Sequence, residues 1–344
     1  MRFTIVTALA LVPGLSLCAQ SRALTPAAQR GLETITTTDV RRRIEIIADD
    51  SMGGRDTPSR GLELTARYIA AEFARFGLTP AGDSGSFIQR YPLPGSRSGG
   101  GAAGPARTAP NVAGILEGSD PVLRNEYIVV SAHMDHVGLG APVNGDSIYN
   151  GADDDASGTA GVVELAEALS RPGARPRRSM LFLTVSGEEH GLWGSAWFTE
   201  HSPVPMARIV ADLNIDMIGR NWKDTIVVIG KEHSDLGTTL DRVNRAHPEL
   251  GMSAIGDLWP EENFYFRSDH YNFARKGVPI LFFFNGTHPD YHGPDDEPNR
   301  IDAEKESRIL RLIYLIAHDV GNATQRPTWN AASYERIVRP QNRR

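Results

Sequence analysis

Five short segments of this 344-residue chain are rich in histidine, aspartate or glutamate. The segments are HMDH at 133–136, NGADDDASG at 150–158, SGEEHG at 186–191, NIDMIG at 214–219 and HPDYHGPDD at 288–296. Imidazole mixed with carboxylate suits Zn²⁺ better than Ca²⁺ or Mg²⁺, although Mn²⁺ or Co²⁺ could occupy the same site. A purely structural zinc site would more often use cysteine, and Cys18 is the only cysteine. The residue types therefore favour a catalytic metal site.

Each segment taken alone also has a structural explanation. Aspartates before a helix are favoured by capping and by the helix dipole, and a glutamate pair is usually solvated. Six or more carboxylates at one edge of a sheet would nevertheless repel one another unless a cation compensated them. The metal hypothesis thus depends on a fold that brings the segments together.

Strand and helix patterns alternate around these segments. Apolar runs predict strands at 127–131, 180–185, 209–215, 226–229 and 279–284. Helical patterns lie between and after them, at 157–169, 191–200, 235–246, 269–276 and 303–320. This alternation predicts an α/β fold, a three-layer sandwich in which helices cover both faces of a mostly parallel central sheet. Ligands of such sheets gather beyond the carboxyl ends of the strands, where four of the segments lie.

The ends of the chain differ from the middle in composition. Residues 1–19 have the pattern of a cleaved secretory signal, too short and interrupted to span a membrane, and no later stretch reaches the ~18 apolar residues that a span needs. We expect an exported protein, periplasmic or extracellular, and Leu17 disfavours a lipoprotein anchor at Cys18. A single domain is expected at 25–323, with a flexible Gly/Pro-rich loop near 95–110 and a polar tail at 324–344.

The charge balance excludes some classes of partner. With 36 basic and 42 acidic residues, the formal net charge is −6. A chain of this charge has no general attraction for nucleic acids or anionic membranes.

Read in order, the motifs resemble those of the co-catalytic dizinc aminopeptidases. The resemblance covers roughly residues 111–302 and includes the stretch FYFRSDHYNFARKGVPILFFFNGTHPDYHGPDDEP at 264–298. The family includes secreted bacterial leucyl aminopeptidases and, more distantly, glutamate carboxypeptidase II and glutaminyl cyclases. It implies a sandwich of the zinc-peptidase type and two Zn²⁺ ions, for which Mn²⁺ or Co²⁺ could substitute.

The resemblance also implies a set of metal ligands. Asp154 would bridge the two ions, one of them also held by His133 and Asp216, the other by Glu189 and His292. Each ion would keep room for a shared water, the open arrangement that a catalytic site requires.

The same resemblance implies how the ligands are oriented. Asp135 would orient His133, Asp296 would orient His292, and the peptide bond between Asp154 and Asp155 would be cis. Asp153 and Asp155 are expected to cap or shape the loop. Four further histidines, which exceed the ligand count, are expected to be structural or to support the ligands: His136, His190, His270 and His288.

Glu188 matches the general base of the family, and the residues give the same reason. A carboxylate beside two cations but not bound to them can take a proton from a metal-bridged water and return it to the leaving amine. Tyr265 matches a tyrosine that in some members stabilises the oxyanion, with Tyr271 and Tyr291 as alternatives.

The expected function is an exopeptidase that hydrolyses the N-terminal peptide bond of peptides or amino-acid amides. A carboxypeptidase and a glutaminyl cyclase-like aminoacyl transferase remain alternatives on the same site. A catalytically inactive binding protein is a third, although every expected ligand and the base are present.

Overall fold

A computed structural model describes residues 23–95 and 107–340 of the chain. The predicted signal segment at 1–19 and most of the predicted loop near 95–110 lie outside the described residues. In the part of the chain that is described, no helix is both long and apolar enough to cross a membrane.

Five of the described helices match the five predicted helical patterns to within a few residues, and the structure contains further helices before and after them. They are α1 (Pro26–Glu33), α2 (Thr37–Ile47), α3 (Arg60–Arg75), α4 (Gly158–Ser170), α5 (Trp193–Glu200), α6 (Leu236–Ala246), α7 (His270–Ala274), α8 (Ala303–Asn322) and α9 (Ala331–Ile337). Side chains of Thr25, Thr36 and Ser59 accept hydrogen bonds from the first turns of α1, α2 and α3, which explains where these helices begin.

The strands include every strand that the sequence predicts, and several more. They are β1 (Thr79–Pro80), β2 (Ile88–Pro92), β3 (Thr108–Leu116), β4 (Tyr127–His133), β5 (Gly138–Val143), β6 (Asp146–Tyr149), β7 (Ser179–Val185), β8 (Ile209–Ile215), β9 (Thr225–Ile229), β10 (Ser253–Ile255) and β11 (Ile280–Phe283). Strands β5 and β6 form a separate antiparallel hairpin.

The large sheet has the order β1-β3-β7-β4-β8-β11-β9-β10, and β2 pairs with β3. Its central strands β7, β4, β8 and β11 run parallel. Strand β3 is antiparallel to β7, and β9 is antiparallel to β11. The pairing of His133 with Val185 and of Ser131 with Asn214 makes the carboxyl ends of β4, β7 and β8 level.

Apolar side chains form one core on each face of this sheet. In β7, Met180 and Phe182 join one cluster, whereas Leu181 and Leu183 join the other, as the alternation of a strand requires. The first cluster includes residues of α2, α3, α4, α6 and α8, and the second includes residues of α5, α7 and α9. Helices therefore cover both faces, and the predicted three-layer α/β sandwich is confirmed.

Helix α9 lies within the segment predicted as a polar tail. Asn330 caps it, and Ile337 and Val338 are buried in the second core. At least this part of the tail thus packs against the domain.

Candidate metal centre

The ends of β4 and β8 and the loop before α4 bring three predicted ligands together. His133 is the last residue of β4, Asp216 directly follows β8, and Asp154 lies in the turn that leads into α4. Nε2 of His133 lies 3.2 Å from Oδ1 of Asp154 and 3.6 Å from Oδ1 of Asp216. All three side chains are buried.

A second group lies on the other side of Asp154. Nε2 of His292 is 3.1 Å from Oδ2 of Asp154 and 3.1 Å from Oε2 of Glu189. Nδ1 of His136 lies 2.9 Å from Oε1 of Glu189 and 3.6 Å from Oδ2 of Asp154. The two carboxylate oxygens of Asp154 therefore face different groups, which is the arrangement of a bridging ligand.

Both groups fit a pair of zinc ions. A tetrahedral site with bonds of about 2.0–2.1 Å separates its ligand atoms by roughly 3.3 Å, which matches these contacts. Oδ1 of Asp216 is buried without a hydrogen-bond partner among the described residues, and the two contacts of Nε2 of His292 with carboxylate oxygens do not have hydrogen-bond geometry. Such atoms are costly unless an ion or water satisfies them.

The loop that presents Asp154 is shaped by its neighbours. The peptide bond between Asp154 and Asp155 is cis. Oδ1 of Asp155 accepts hydrogen bonds from the backbone N–H groups of Gly158 and Met217, and Oδ1 of Asp153 accepts one from Gly219. Asp153 and Asp155 thus tie the loop to the segment after β8, while Asp154 alone of the three belongs to the ligand groups.

The carboxylate of Asp296 has a different partner from the one that the resemblance implies. It accepts hydrogen bonds at 3.0–3.1 Å from the backbone N–H groups of Asp153 and Asp154, rather than orienting the ring of His292. Asp296 therefore supports the backbone of the loop that presents Asp154.

Asp135 contacts His133, as the resemblance implies, and also supports the loop after β7. Its Oδ1 lies 3.6 Å from Nδ1 of His133, whose closer partner is the Asp135 carbonyl oxygen at 3.2 Å. Its Oδ2 accepts hydrogen bonds from the N–H of Gly187 at 2.6 Å and from Oγ1 of Thr57 at 2.9 Å. The orientation of His133 is therefore coupled to the position of Glu188.

Arg55 also supports the site, and sequence analysis missed it. The side chain is fully buried and donates hydrogen bonds to the carbonyl oxygens of Met134, Ile47, Asn150 and Gly151. It therefore joins the segment after His133 to the loop before Asp154. A single arginine in a loop carries no spacing that would have identified this role.

Glu188 lines a cavity of about 390 Å³, partly open to solvent, together with His133, Asp154 and Asp216. Glu188 belongs to neither ligand group among the described residues. Burial raises the pKa of Glu188 well above its usual range, Asp269 and other carboxylates act in the same direction, and His133 opposes them.

The structure places Tyr291, rather than Tyr265, at this cavity. The Tyr265 ring is buried in the second core, where it packs edge-on against His233, and it is not among the residues that line the cavity. Tyr291 lines the cavity and stacks on the His292 ring, with 3.9 Å between the ring centroids. Burial raises the pKa of Tyr291, and nearby carboxylates including Asp154 and Glu189 add to this effect, so the phenol remains a proton donor.

Three of the additional histidines contact groups outside the two ligand sets. His190 lies 2.9 Å from Asp56, and His288 lies 3.3 Å from Asp153. His270 is bonded to the carbonyl oxygen of Tyr265 and stacks on Phe282. Only His136 among the four joins a ligand group.

Comparison with known proteins places the chain in a family. Residues 111–317, more than half of the chain, match peptidase family M28, and the chain therefore belongs to that family.

Individual relatives are distant. Leupeptin-inactivating enzyme 1 of Streptomyces exfoliatus is 28% identical over 245 residues, which are 71% of this chain and 47% of that protein. The chain spans about half the length of the curated relatives that it matches. The zinc aminopeptidase BSAP of Bacillus subtilis superimposes with a TM-score of 0.64 at 15% identity, covering 89% of this chain and 98% of the other. A glutaminyl cyclase of Bacteroides thetaiotaomicron gives a TM-score of 0.62 at 13% identity, covering 83% and 98%. These likenesses establish the shared fold.

Proposed function

We propose that the chain is an exported, zinc-dependent exopeptidase that removes the N-terminal residue of peptides or amino-acid amides. The observation that carries the proposal is the cavity that brings Glu188 beside His133, Asp154 and Asp216, with Glu189 and His292 on the far side of Asp154. Membership of a peptidase family supports hydrolysis of a peptide bond. Export rests on the pattern of residues 1–19 alone.

Two zinc ions would be held by the two ligand groups, with Asp154 shared between them. When bound, zinc acts as a Lewis acid on a scissile carbonyl and lowers the pKa of a water molecule. Manganese or cobalt could occupy the same donors.

Glu188 would act as the general base. Its carboxylate borders the cavity, takes a proton from the attacking water and returns it to the nitrogen of the leaving amine. Tyr291 would donate a hydrogen bond from its phenol to the oxyanion that forms on the scissile carbonyl. Asp135 would hold the ring of His133 and the loop that carries Glu188 in fixed positions relative to each other, through the contacts described above.

The lining and charge of the cavity favour the end of a peptide over its middle. Its lining combines apolar and acidic side chains. Phe264, Phe282 and Phe284 form an apolar wall, whereas Glu188 and Asp216 are acidic. An N-terminal residue with an apolar side chain and a free ammonium group complements both.

Specific observations keep two alternatives in the test. Arg267 lines the cavity with its side chain 52% exposed, and a guanidinium could pair with the terminal carboxylate of a carboxypeptidase substrate. The likeness of fold to a glutaminyl cyclase keeps aminoacyl cyclisation open.

A mass-spectrometric time course with purified protein and added Zn²⁺ separates these activities. The substrates are a peptide with a free N-terminus, its acetylated twin and a peptide that begins with glutamine. We expect stepwise loss of N-terminal residues from the free peptide only, stopped by a chelator. Removal of C-terminal residues from the acetylated peptide would indicate a carboxypeptidase. Loss of ammonia from the glutamine peptide would indicate a cyclase, and no change in any peptide would indicate a binding protein.

A further inference from the structure

His136 belongs to the second group of possible ligands, although it is not one of the five expected metal ligands. The side chain is completely buried at the end of the HMDH segment. Its Nδ1 forms a hydrogen bond of 2.9 Å with Oε1 of Glu189, and its ring meets the His292 ring edge-on at 5.5 Å.

The two oxygens of Glu189 have different partners. Oε1 faces Nδ1 of His136, whereas Oε2 faces Nε2 of His292 at 3.1 Å. A hydrogen bond to one carboxylate oxygen fixes the orientation of the whole carboxylate, and therefore the direction in which its other oxygen points. Supporting residues orient metal ligands in this way.

The contacts of His136 differ from those of the ligand His133. One nitrogen of His133 faces Asp154 and Asp216, while the other is held by Asp135. A metal-bound imidazole almost always donates its second ring N–H to such a partner. Nε2 of His136 is buried with no hydrogen-bond partner among the described residues. His136 therefore has the contacts of a supporting donor rather than those of a ligand.

The backbone around His136 holds the ring in place. A side chain at Gly151 would lie 2.4 Å from Cγ of His136, and Gly151 has a φ of +57°, which glycine adopts without strain. Because the backbone of the Asp154 loop approaches the ring so closely, the imidazole has little freedom to turn away from Glu189.

We propose that His136 is a positioning residue for the second metal: its Nδ1–H donates to Oε1 of Glu189 and thereby directs Oε2 to the ion shared with His292 and Asp154. This inference rests on the proposed function for the presence of two ions. It is specific to one of them, because His136 groups with Glu189 and His292, whereas Asp216 belongs to the other group of the described residues.

The test is the stepwise Zn²⁺ affinity of the full chain, measured by competition with a chromophoric chelator. His136→Asn places an amide N–H near the position of Nδ1, and His136→Leu has nearly the same shape without a donor. For the leucine variant we expect one of the two affinities to fall by about 10–100-fold, whereas the asparagine variant stays within about fivefold of wild type. Unchanged affinities in His136→Leu, or equal losses in both variants, would overturn the proposal.

Two control variants test whether the loss of zinc affinity is specific to His136 and to the second metal. His190→Leu changes the histidine next to Glu189 in sequence, which faces Asp56 instead, and should leave both affinities unchanged. In a protein carrying His292→Ala, the remaining ion would depend on His133, Asp216 and Oδ1 of Asp154, whereas His136 faces Oδ2 of Asp154, so adding His136→Leu should not weaken it further. Further weakening would contradict a role confined to the second metal.

A measurement on the unchanged protein covers the case in which a variant fails to fold. In the Co²⁺-substituted protein, each coordinated histidine contributes one strongly shifted, exchangeable ring N–H proton signal. Signals from His133 and His292 alone are expected, together with an Nδ1–H tautomer of His136 in long-range ¹H–¹⁵N spectra of the zinc form. A third shifted signal would make His136 a ligand and refute the positioning role. Two bound ions without peptidase activity would refute the proposed function but not this inference.

Discussion

Replacing Glu188 by glutamine separates base catalysis from metal binding. The substitution keeps the size of the side chain and removes only its ability to accept a proton. Glu188 lines the cavity but belongs to neither ligand group, so both ions should remain bound. A positioned general base typically contributes 10²–10⁴-fold to the rate. We therefore expect kcat to fall by about 100–10,000-fold, which corresponds to roughly 3–5 kcal/mol of transition-state stabilisation.

The assay combines steady-state hydrolysis of an amino-acid amide with zinc content by mass spectrometry. Glu189→Gln is the matched control, because it makes the same chemical change one residue away in a carboxylate that faces His292 at 3.1 Å. Glu189→Gln should lose zinc and activity together, whereas Glu188→Gln should lose activity alone. Activity of Glu188→Gln within about tenfold of wild type would show that the base lies elsewhere.

Three further predictions concern the oxyanion, the core and the pH dependence. Tyr291→Phe should lower kcat by about 10²–10³-fold in the amide assay, while Tyr265→Phe, which alters a ring in the second core, should change it by less than about threefold. Arg43 is buried among three carboxylates, so Arg43→Met should lower the free energy of unfolding in urea by about 3–5 kcal/mol, against less than about 1 kcal/mol for the exposed Arg75→Met. Burial raises the pKa of Asp212 from 3.8 to about 8, so the folded chain retains a proton that the unfolded chain releases, and stability falls as pH rises between those values. Asp212→Asn should remove this loss, so the free energy of unfolding of the variant relative to wild type, measured in urea, should increase from pH 4 to pH 8 and then level off. A difference between the two proteins that does not depend on pH would contradict the shifted pKa of Asp212.

The central strands and the helices between them were predictable from local patterns. Buried strands such as Ser179–Val185 are short apolar runs, and in the amphipathic helix Leu236–Ala246 the apolar residues recur at helical spacing. The strands Ile88–Pro92 and Thr108–Leu116 and the helix Ala331–Ile337 were not anticipated, because their polar or proline-containing sequences become ordered through pairing and packing with distant segments.

The sequence by itself determined which residues could meet at the carboxyl edge of the sheet. His133 ends one strand, Asp216 directly follows a second, and Glu188 and Glu189 follow a third. Parallel pairing of these strands is therefore sufficient to bring the four residues to the same edge of the sheet.

Only the tertiary structure decided what the remaining polar groups do. Tyr265 and Tyr291 both lie in the stretch that carries the family resemblance, yet of the two only Tyr291 lines the cavity. Asp296 holds the backbone of Asp154, and His136 holds Glu189, through contacts between segments far apart in sequence. Periodicity and spacing specify where a backbone element runs. The direction of a side chain in a loop depends on neighbours that only the folded chain supplies.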